Sequence, residues 1–232
     1  MTRQAERNDI SIIVPLKNEE DNVGKLVREI EGVLFARERS FEIILVDDCS
    51  TDDTVFEAES LRKLGPCVHV YSNPYSGGQC AAIFHGFRNS SGMILVTIDG
   101  DGQNNPADIP RIIEALEKGF DFVGGWRQRR KDPLFRKAVS FLANSAFFLK
   151  TGIRLRDYNC GFNGVSRALM ERISPENDQL RFMKAVLVSK AALFTEIPVD
   201  HRKRAQGRSK YGFAAIMKTG MDFWFNFRCI KA

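Results

Sequence analysis

The amino-acid sequence predicts an α/β domain, a doubly wound and mostly parallel sheet with helices on both faces. Three observations carry this. Five short runs are apolar and rich in β-branched residues: "ISIIVPL" (10–16), "FEIILVD" (41–47), "CVHVY" (67–71), "MILVTID" (93–99) and "FDFVGGW" (120–126). They are nearly continuous in apolar residues rather than alternating, as strands covered on both faces are. Helical stretches separate them, which implies right-handed crossovers between successive strands. The length of 232 residues and the 44% hydrophobic content suit one large domain.

The elements follow in order. A helix is predicted from about Glu19 to Arg39, and a second after "STDDT", where Ser50 to Asp53 are cap-type residues. A third covers "GGQCAAIFHGFRN" (77–89), and a fourth opens at Pro106, a favoured first helical position. After residue 130 the pattern changes. Residues 134–150, "LFRKAVSFLANSAFFLK", read as an apolar helix with basic ends. "DYNCGFNGVSR" (157–167) reads as a loop entering a short strand, followed by a helix around 178–192 and a strand near "FTEIPVDHR" (194–202). The basic loop "KRAQGRSK" (203–210) leads into an aromatic tail over 211–232.

Composition narrows the function classes. A charged fraction of 27% argues against global disorder, and the net charge of +5 is a mild bias toward anionic partners. Five cysteines (Cys49, Cys67, Cys80, Cys160, Cys229) form no C-x-x-C pair and read as reduced thiols of a cytosolic protein. The N-terminus lacks the apolar core of a signal peptide, and no run approaches the ~20 apolar residues of a membrane span. Membrane contact is therefore expected to be peripheral. Neither G-x-G-x-x-G after the first strand nor G-x-x-x-x-G-K-[ST] occurs, which disfavours a dinucleotide enzyme and a P-loop NTPase.

Ligands of such sheets bind at the carboxyl ends of the strands. "PLKNEE", "VDDCSTDD", "IDGDGQ" and "GGWRQRR" share that rim, three acidic and the fourth basic. Asp99 and Asp101, with Gln103 beyond them, offer hard oxygen ligands to Mg²⁺ or Mn²⁺, which also take substrate phosphates. The same residue types also build turns. Asp47 and Asp48 end the second strand, where a helix N-cap is the competing explanation. A nucleoside diphosphate with its metal would explain both clusters at once.

Five stretches in this order, "IIVPLKNEEDN", "VDDCSTDDT", "DGDGQNNPADIP", "DYNCGFNG" and "RAQGRSKYG", resemble the family 2 glycosyltransferases of the GT-A fold. More narrowly they resemble the polyprenyl-phosphate sugar synthases, the dolichol-phosphate mannose synthase group and its bacterial relatives. The resemblance runs from about Ile10 to Tyr211. It implies that Pro15, Glu19 and Asp48 line a nucleoside pocket with Asp47 as a neighbour, and that Asp99, Asp101 and Gln103 hold metal and diphosphate. It further implies that Arg127 binds an acceptor or donor phosphate, that Arg136 and Ser140 face the acceptor phosphate, and that Arg204, Ser209 and Lys210 close over the diphosphate. Gly102 departs from the apolar residue many relatives carry; no counterpart of the C-terminal transmembrane helices of many bacterial relatives is expected within residues 1–232, and the tail also reads as the stub before such a segment.

Acceptor chemistry turns on Asp157. A hydroxyl acceptor needs a carboxylate base. A phosphate monoester, with a second pKa of about 6, is already an anion at pH 7 and needs positive charge instead. "WRQRRKDPLFRK" (126–137) supplies that charge, although a solvated loop or an RNA-facing patch reads the same way. Asp157 is assigned to sugar orientation, with support of the "CGF" turn as the alternative. Helix 134–150 and tail 211–229 carry Phe135, Phe141, Phe147, Phe148, Phe213, Phe223, Trp224, Phe225 and Phe227 between basic residues. Such segments lie in a headgroup plane, or pack as core or dimer helices.

The expectation is a GT-A domain over 1–210 with an amphipathic, membrane-interface helix over 211–232. Asp101, Asp157, Arg204 and Lys210 are its catalytic candidates. It would transfer a sugar from a nucleoside diphosphate, UDP before GDP, to a polyprenyl phosphate with inversion at the cytosolic membrane face. Mg²⁺ or Mn²⁺ is the implied cofactor, no nucleic-acid partner is expected, and assembly with further copies stays open. Transfer to a hydroxyl on a polysaccharide or glycolipid is the first alternative. A non-catalytic basic module that binds nucleic acid or membranes is the second.

Overall fold

The structure is a computed structural model, and it describes residues 8–37, 39–128, 144–145, 147–173 and 182–202. Seven strands form one sheet in the order β3-β2-β1-β4-β6-β5-β7. These are β1 (Ile10–Leu16), β2 (Phe41–Asp47), β3 (Val68–Ser72), β4 (Ile94–Thr97), β5 (Phe122–Arg127), β6 (Asn163–Ser166) and β7 (Phe194–Val199). β1 to β4 pair in parallel, as do β5 and β7, whereas β6 runs antiparallel between β4 and β5. The expected doubly wound, mostly parallel sheet is present.

The helices are α1 (Glu20–Leu34), α2 (Thr54–Leu64), α3 (Gln79–Arg88), α4 (Ile109–Glu117), α5 (Arg167–Glu171) and α6 (Met183–Lys190). Two apolar layers explain the continuous strand sequences. On one face Ile12, Val14, Ile43 and Leu45 pack with Val23, Leu26, Val27 and Ile30 of α1 and Ile112 and Ile113 of α4. On the other, Ile13, Leu95 and Phe122 pack with Ile83, Phe84 and Phe87 of α3 and with α6. Both faces of the strands are thereby removed from water.

Two boundaries differ from the sequence expectation. α1 stops at Leu34 rather than Arg39, and Arg37 and Arg39 instead pair with Glu114 and Glu117 of α4. Pro106 opens a 3-10 turn over Pro106–Asp108, and the α-helix starts only at Ile109, with Pro110 in its first turn. There the prolines' missing N–H groups leave no helical bond unmade.

The helix predicted over 134–150 is described only in its last part, where 144–145 and 147–151 are helical. Phe147 is fully buried and stacks 5.2 Å from Tyr158, so it serves the core rather than a lipid surface. Phe148 and Leu149 face outward. Tail 211–232 lies outside the described residues. Among the described residues no helix is long and apolar enough to cross a membrane. Cys49, Cys67, Cys80 and Cys160 are free thiols, and only Cys160 is buried.

Candidate active site

The acid pair sits where β4 ends. Asp99 Oδ1 accepts from Gln79 Nε2 at the start of α3, and Oδ2 accepts from Asn104 Nδ2 at 3.2 Å. Burial, then the charge of Asp101, push the Asp99 carboxyl up to about 6, against the pull of Asn104, Arg127 and Gln79. Asp101 Oδ1 accepts from the backbone N–H of Gln103 at 3.1 Å. Gly102 turns the chain between them at φ +69°, a left-handed conformation that favours glycine. The donor set fits a divalent cation. The charge of Asp101 opposes ionisation of Asp99, which a cation relieves, and no third His, Cys, Asp or Glu joins them among the described residues. Mg²⁺ or Mn²⁺ in such a site completes its shell with water and substrate phosphate.

The antiparallel course of β6 brings the 157–161 turn to the same rim. A strand that runs against its neighbours begins where they end, so the residues just before Asn163 lie between the ends of β4 and β5. Gly161 lies directly against the Asp99 carboxylate, and a Cβ there would collide with both oxygens. Thr97 Oγ1 donates to the Gly161 carbonyl at 2.8 Å.

Asp157, only 2% exposed, accepts from Arg127 Nε at 2.7 Å and Nη2 at 2.9 Å, a two-point clamp at the end of β5. Below the turn, Lys184 Nζ donates to the carbonyls of Asp157 at 2.8 Å and Cys160 at 3.3 Å. Burial lowers the Lys184 pKa, opposed by Cys160, Asp157 and Glu196. Glu196 of β7 accepts from the backbone N–H of Arg156 at 2.8 Å.

On the other side of the rim, Pro15 of β1 lies opposite Val46 of β2, and Leu16 opposite Asp47. Asp47 accepts from the Ser50 N–H through both oxygens at 3.2 Å, so it holds the turn before α2 rather than capping the helix. Thr54 bonds Asp52 instead. Glu19 is buried; its Oε2 accepts from Asn22 and its N–H donates to Thr54 Oγ1. Asp48 accepts from Asn73 Nδ2 (2.9 Å), Ser76 Oγ (2.8 Å) and the N–H groups of Gly77 (2.8 Å) and Gly78 (3.1 Å). Lys17 Nζ lies 3.5 Å away. Burial alone would raise the Asp48 pKa, but the bonds from Asn73, Ser76, Gly77 and Gly78 outweigh it and hold the carboxyl below its ordinary value.

β7 delivers the chain back to the acid pair. Arg202 N–H donates to the Gln103 carbonyl at 2.7 Å, its guanidinium reaches Asn105 Oδ1 and Glu29 Oε2 at 2.6 Å each, and Asn104 bridges His201. The basic loop therefore departs from a point pinned beside Gln103.

Pro15, Glu19, Asp47, Asp48, Asp99, Asp101, Gln103, Arg127 and Asp157 thus share one rim. Arg136, Ser140, Arg204, Ser209 and Lys210 lie outside the described residues. Gln79, Asn104 and Lys184 join the site without having been singled out. "GGQ" before a helix and "GQNN" after the acids were visible signals for the first two, while a lysine inside the apolar stretch "FMKAVLV" was the signal for the third.

The family model "Glycosyl transferase family 2" matches residues 11–174. The chain belongs to glycosyl transferase family 2. Curated relatives at the level of the polyprenyl-phosphate branch match over 92% of this chain. An undecaprenyl-phosphate 4-deoxy-4-formamido-L-arabinose transferase of Pseudomonas fluorescens is 36% identical over 215 residues, 63% of its own length. A dodecaprenyl-phosphate galacturonate synthase of Rhizobium johnstonii is 34% identical over 219 residues, 65% of its length. The chain thus spans just under two thirds of these relatives.

Among solved structures, glucosyl-3-phosphoglycerate synthase from Mycobacterium tuberculosis with phosphoglyceric acid superimposes with TM-score 0.69 at 20% identity, covering 96% of this chain and 80% of that one. The same protein with Mn²⁺, UDP and glucosyl-3-phosphoglycerate gives 0.65 at 19%, covering 93% and 77%. At that identity the likeness speaks to the fold, which is GT-A-like.

Proposed function

We propose that this family 2 glycosyltransferase moves a sugar from a nucleoside diphosphate, UDP in preference to GDP, to a polyprenyl phosphate, with inversion at the anomeric carbon. The observation that carries the acceptor class is the Arg127–Asp157 clamp. Asp157 is the residue a hydroxyl acceptor would need as base, yet it is buried and held at two points by a guanidinium. A carboxylate so held is a poor proton acceptor. A phosphate acceptor needs none, because it arrives ionised. The polyprenyl-phosphate names of the curated relatives point the same way.

In this reading Asp99 and Asp101 hold Mg²⁺ or Mn²⁺, which when bound offsets charge on the diphosphate. Gln79 and Asn104 keep the Asp99 oxygens aimed at the rim. Pro15, Glu19, Asp47 and Asp48 border the nucleoside. Arg127, with Arg136 and Ser140, receives the acceptor phosphate, and its oxygen attacks the anomeric carbon opposite the departing diphosphate. Arg204, Ser209 and Lys210 close over that diphosphate, delivered by the Arg202 anchor beside Gln103. Basic segments 126–137 and 203–210, with the aromatic stretches that follow them, hold the domain peripherally on the cytosolic membrane face.

The test is a transfer assay with a panel of UDP- and GDP-sugars, Mg²⁺ or Mn²⁺, and a short polyprenyl phosphate, with free polyprenol as control. Mass spectrometry of the lipid should find a sugar–phosphate–lipid from the phosphate alone. Transfer to polyprenol or to a sugar hydroxyl, with none to the phosphate, would overturn the proposal in favour of a hydroxyl acceptor.

A further inference from the structure

The Asp48 carboxylate is backed by a relay that the steps above do not use. Asn73 Nδ2 donates to Asp48 Oδ1 at 2.9 Å, and His85 Nδ1 lies 2.8 Å from Asn73 Oδ1. The hydrogen positions follow from the ends inward. Asp48, held ionised by its donors, only accepts, so the Asn73 amide turns its NH₂ toward Asp48 and its oxygen toward His85. That oxygen also only accepts, so His85 Nδ1 carries the hydrogen. His85 is half-buried on α3 with the Tyr71 ring 5.7 Å away, and the Asn73 N–H is tied to the Asp47 carbonyl at 2.8 Å.

We propose that His85, acting through Asn73, is a positioning residue for the donor nucleotide, fixing Asp48 and the 73–78 loop in the geometry that receives it. The proposal rests on the placement of Asp48 at the nucleoside. Asn73, Ser76, Gly77 and Gly78 all bond Asp48 from one loop, so carboxylate and loop move as a unit. Without the His85 N–H, the Asn73 oxygen loses its donor and only the bond to Asp48 fixes the amide. The side chain can then swing about that single point, and the Asp48 carboxylate with it. The loop runs straight into Gln79, so the disturbance also reaches the partner of Asp99.

Side-chain shape gives a discriminating series. His85→Asn keeps an N–H donor near the Nδ1 position, His85→Gln moves it toward Nε2, and His85→Phe removes it. Calorimetric titration with UDP and with GDP, each with Mn²⁺, reads donor affinity without turnover. His85→Phe and His85→Gln should weaken the nucleotide that the wild type binds by about three- to tenfold, the worth of one hydrogen bond. His85→Asn should restore it to within about twofold. The KM for lipid phosphate should stay unchanged throughout, whereas a general loosening of the fold would raise both.

Asn73→Asp disturbs no apolar packing and sets a second carboxylate against Asp48; it carries the test should His85→Phe fail to fold, and it should weaken the nucleotide about tenfold or more. Wild-type affinity in both His85→Phe and Asn73→Asp, alongside a loss in Asp48→Asn, would overturn the relay alone. Unchanged affinity in Asp48→Asn would overturn the nucleoside placement and the relay with it.

Discussion

Gly161 and Asp99 touch: the backbone of the 157–161 turn packs against the carboxylate that ends β4, leaving no room for a side chain. Gly161→Ala should therefore displace Asp99 from the rim. Overpacking of this kind costs about 1–3 kcal/mol, but the larger effect falls on metal affinity. Thermal melting and a Mn²⁺ titration followed by the electron-spin signal of the free ion separate the two, and unaltered Mn²⁺ binding would contradict the contact.

Asp101→Asn removes one of the two charges of the acid pair while keeping its volume. Sugar transfer should fall by about 10²-fold or more with the melting temperature nearly unchanged, since asparagine keeps an oxygen that can accept from the Gln103 N–H. Full activity in the assay would remove Asp101 from the metal site.

Asp157 distinguishes a clamp from a base. Asp157→Ala strands Arg127 beside Lys184 and should destabilise the fold by about 3–5 kcal/mol, measured by urea denaturation. Asp157→Asn keeps a partner for Arg127, and the residual activity should retain the wild-type pH profile. Loss of the acidic limb of that profile in the asparagine variant would identify Asp157 as a base.

Acidity acts through Asp99. Its carboxyl titrates near 6 in the folded chain against 3.8 for an ordinary aspartate, so the folded state binds a proton more tightly across that interval. The metal-free protein gains stability from this group as pH falls from about 6 toward 4, and gains none above it. Cation binding has the opposite sign, because the proton competes with it. Mn²⁺ affinity should be flat above pH 6 and fall about tenfold per pH unit below it. Equal affinities at pH 5 and pH 7.5 would refute the shift.

At the opposite rim, buried Glu42 accepts through one oxygen from Ser11 Oγ, Ser91 N, Ser91 Oγ and Gly92 N. Glu42→Ala removes the acceptor shared by Ser11 Oγ and the Ser91 N–H and hydroxyl, while the Gly92 N–H keeps Ser11 Oγ at 2.8 Å, and should cost about 2 kcal/mol by chemical denaturation, with KM values for donor and acceptor unaffected. A shift in either KM would link this rim to the active one.

The strands β1 and β2 were legible to the residue, because continuous Ile/Val/Leu runs between turn residues have few other uses. The acids and Arg127 were legible for a related reason: charges just after a buried strand must face the rim. What the one-dimensional pattern concealed was pairing across the chain. Nothing in "NGVS" announces that β6 inserts antiparallel between β4 and β5, since direction is set by where the chain has room to return. For the same reason Gly161 carried no sign that it would shoulder Asp99, and Asn73 none that it would join His85 to Asp48. Phe147 belongs to an aromatic stripe that suits a lipid surface or a core alike; its burial against Tyr158 follows from a partner eleven residues away in the next loop.

The inserted strand β6 also works as a ruler. It holds the ends of β4 and β5 apart by two ladder spacings, about 10 Å, a distance fixed by backbone hydrogen bonds and not by any side chain. The gap between the acid pair and Arg127 is thus quantised: it cannot be widened slightly. Diversification from one sugar to another has to proceed by exchanging side chains within a constant frame.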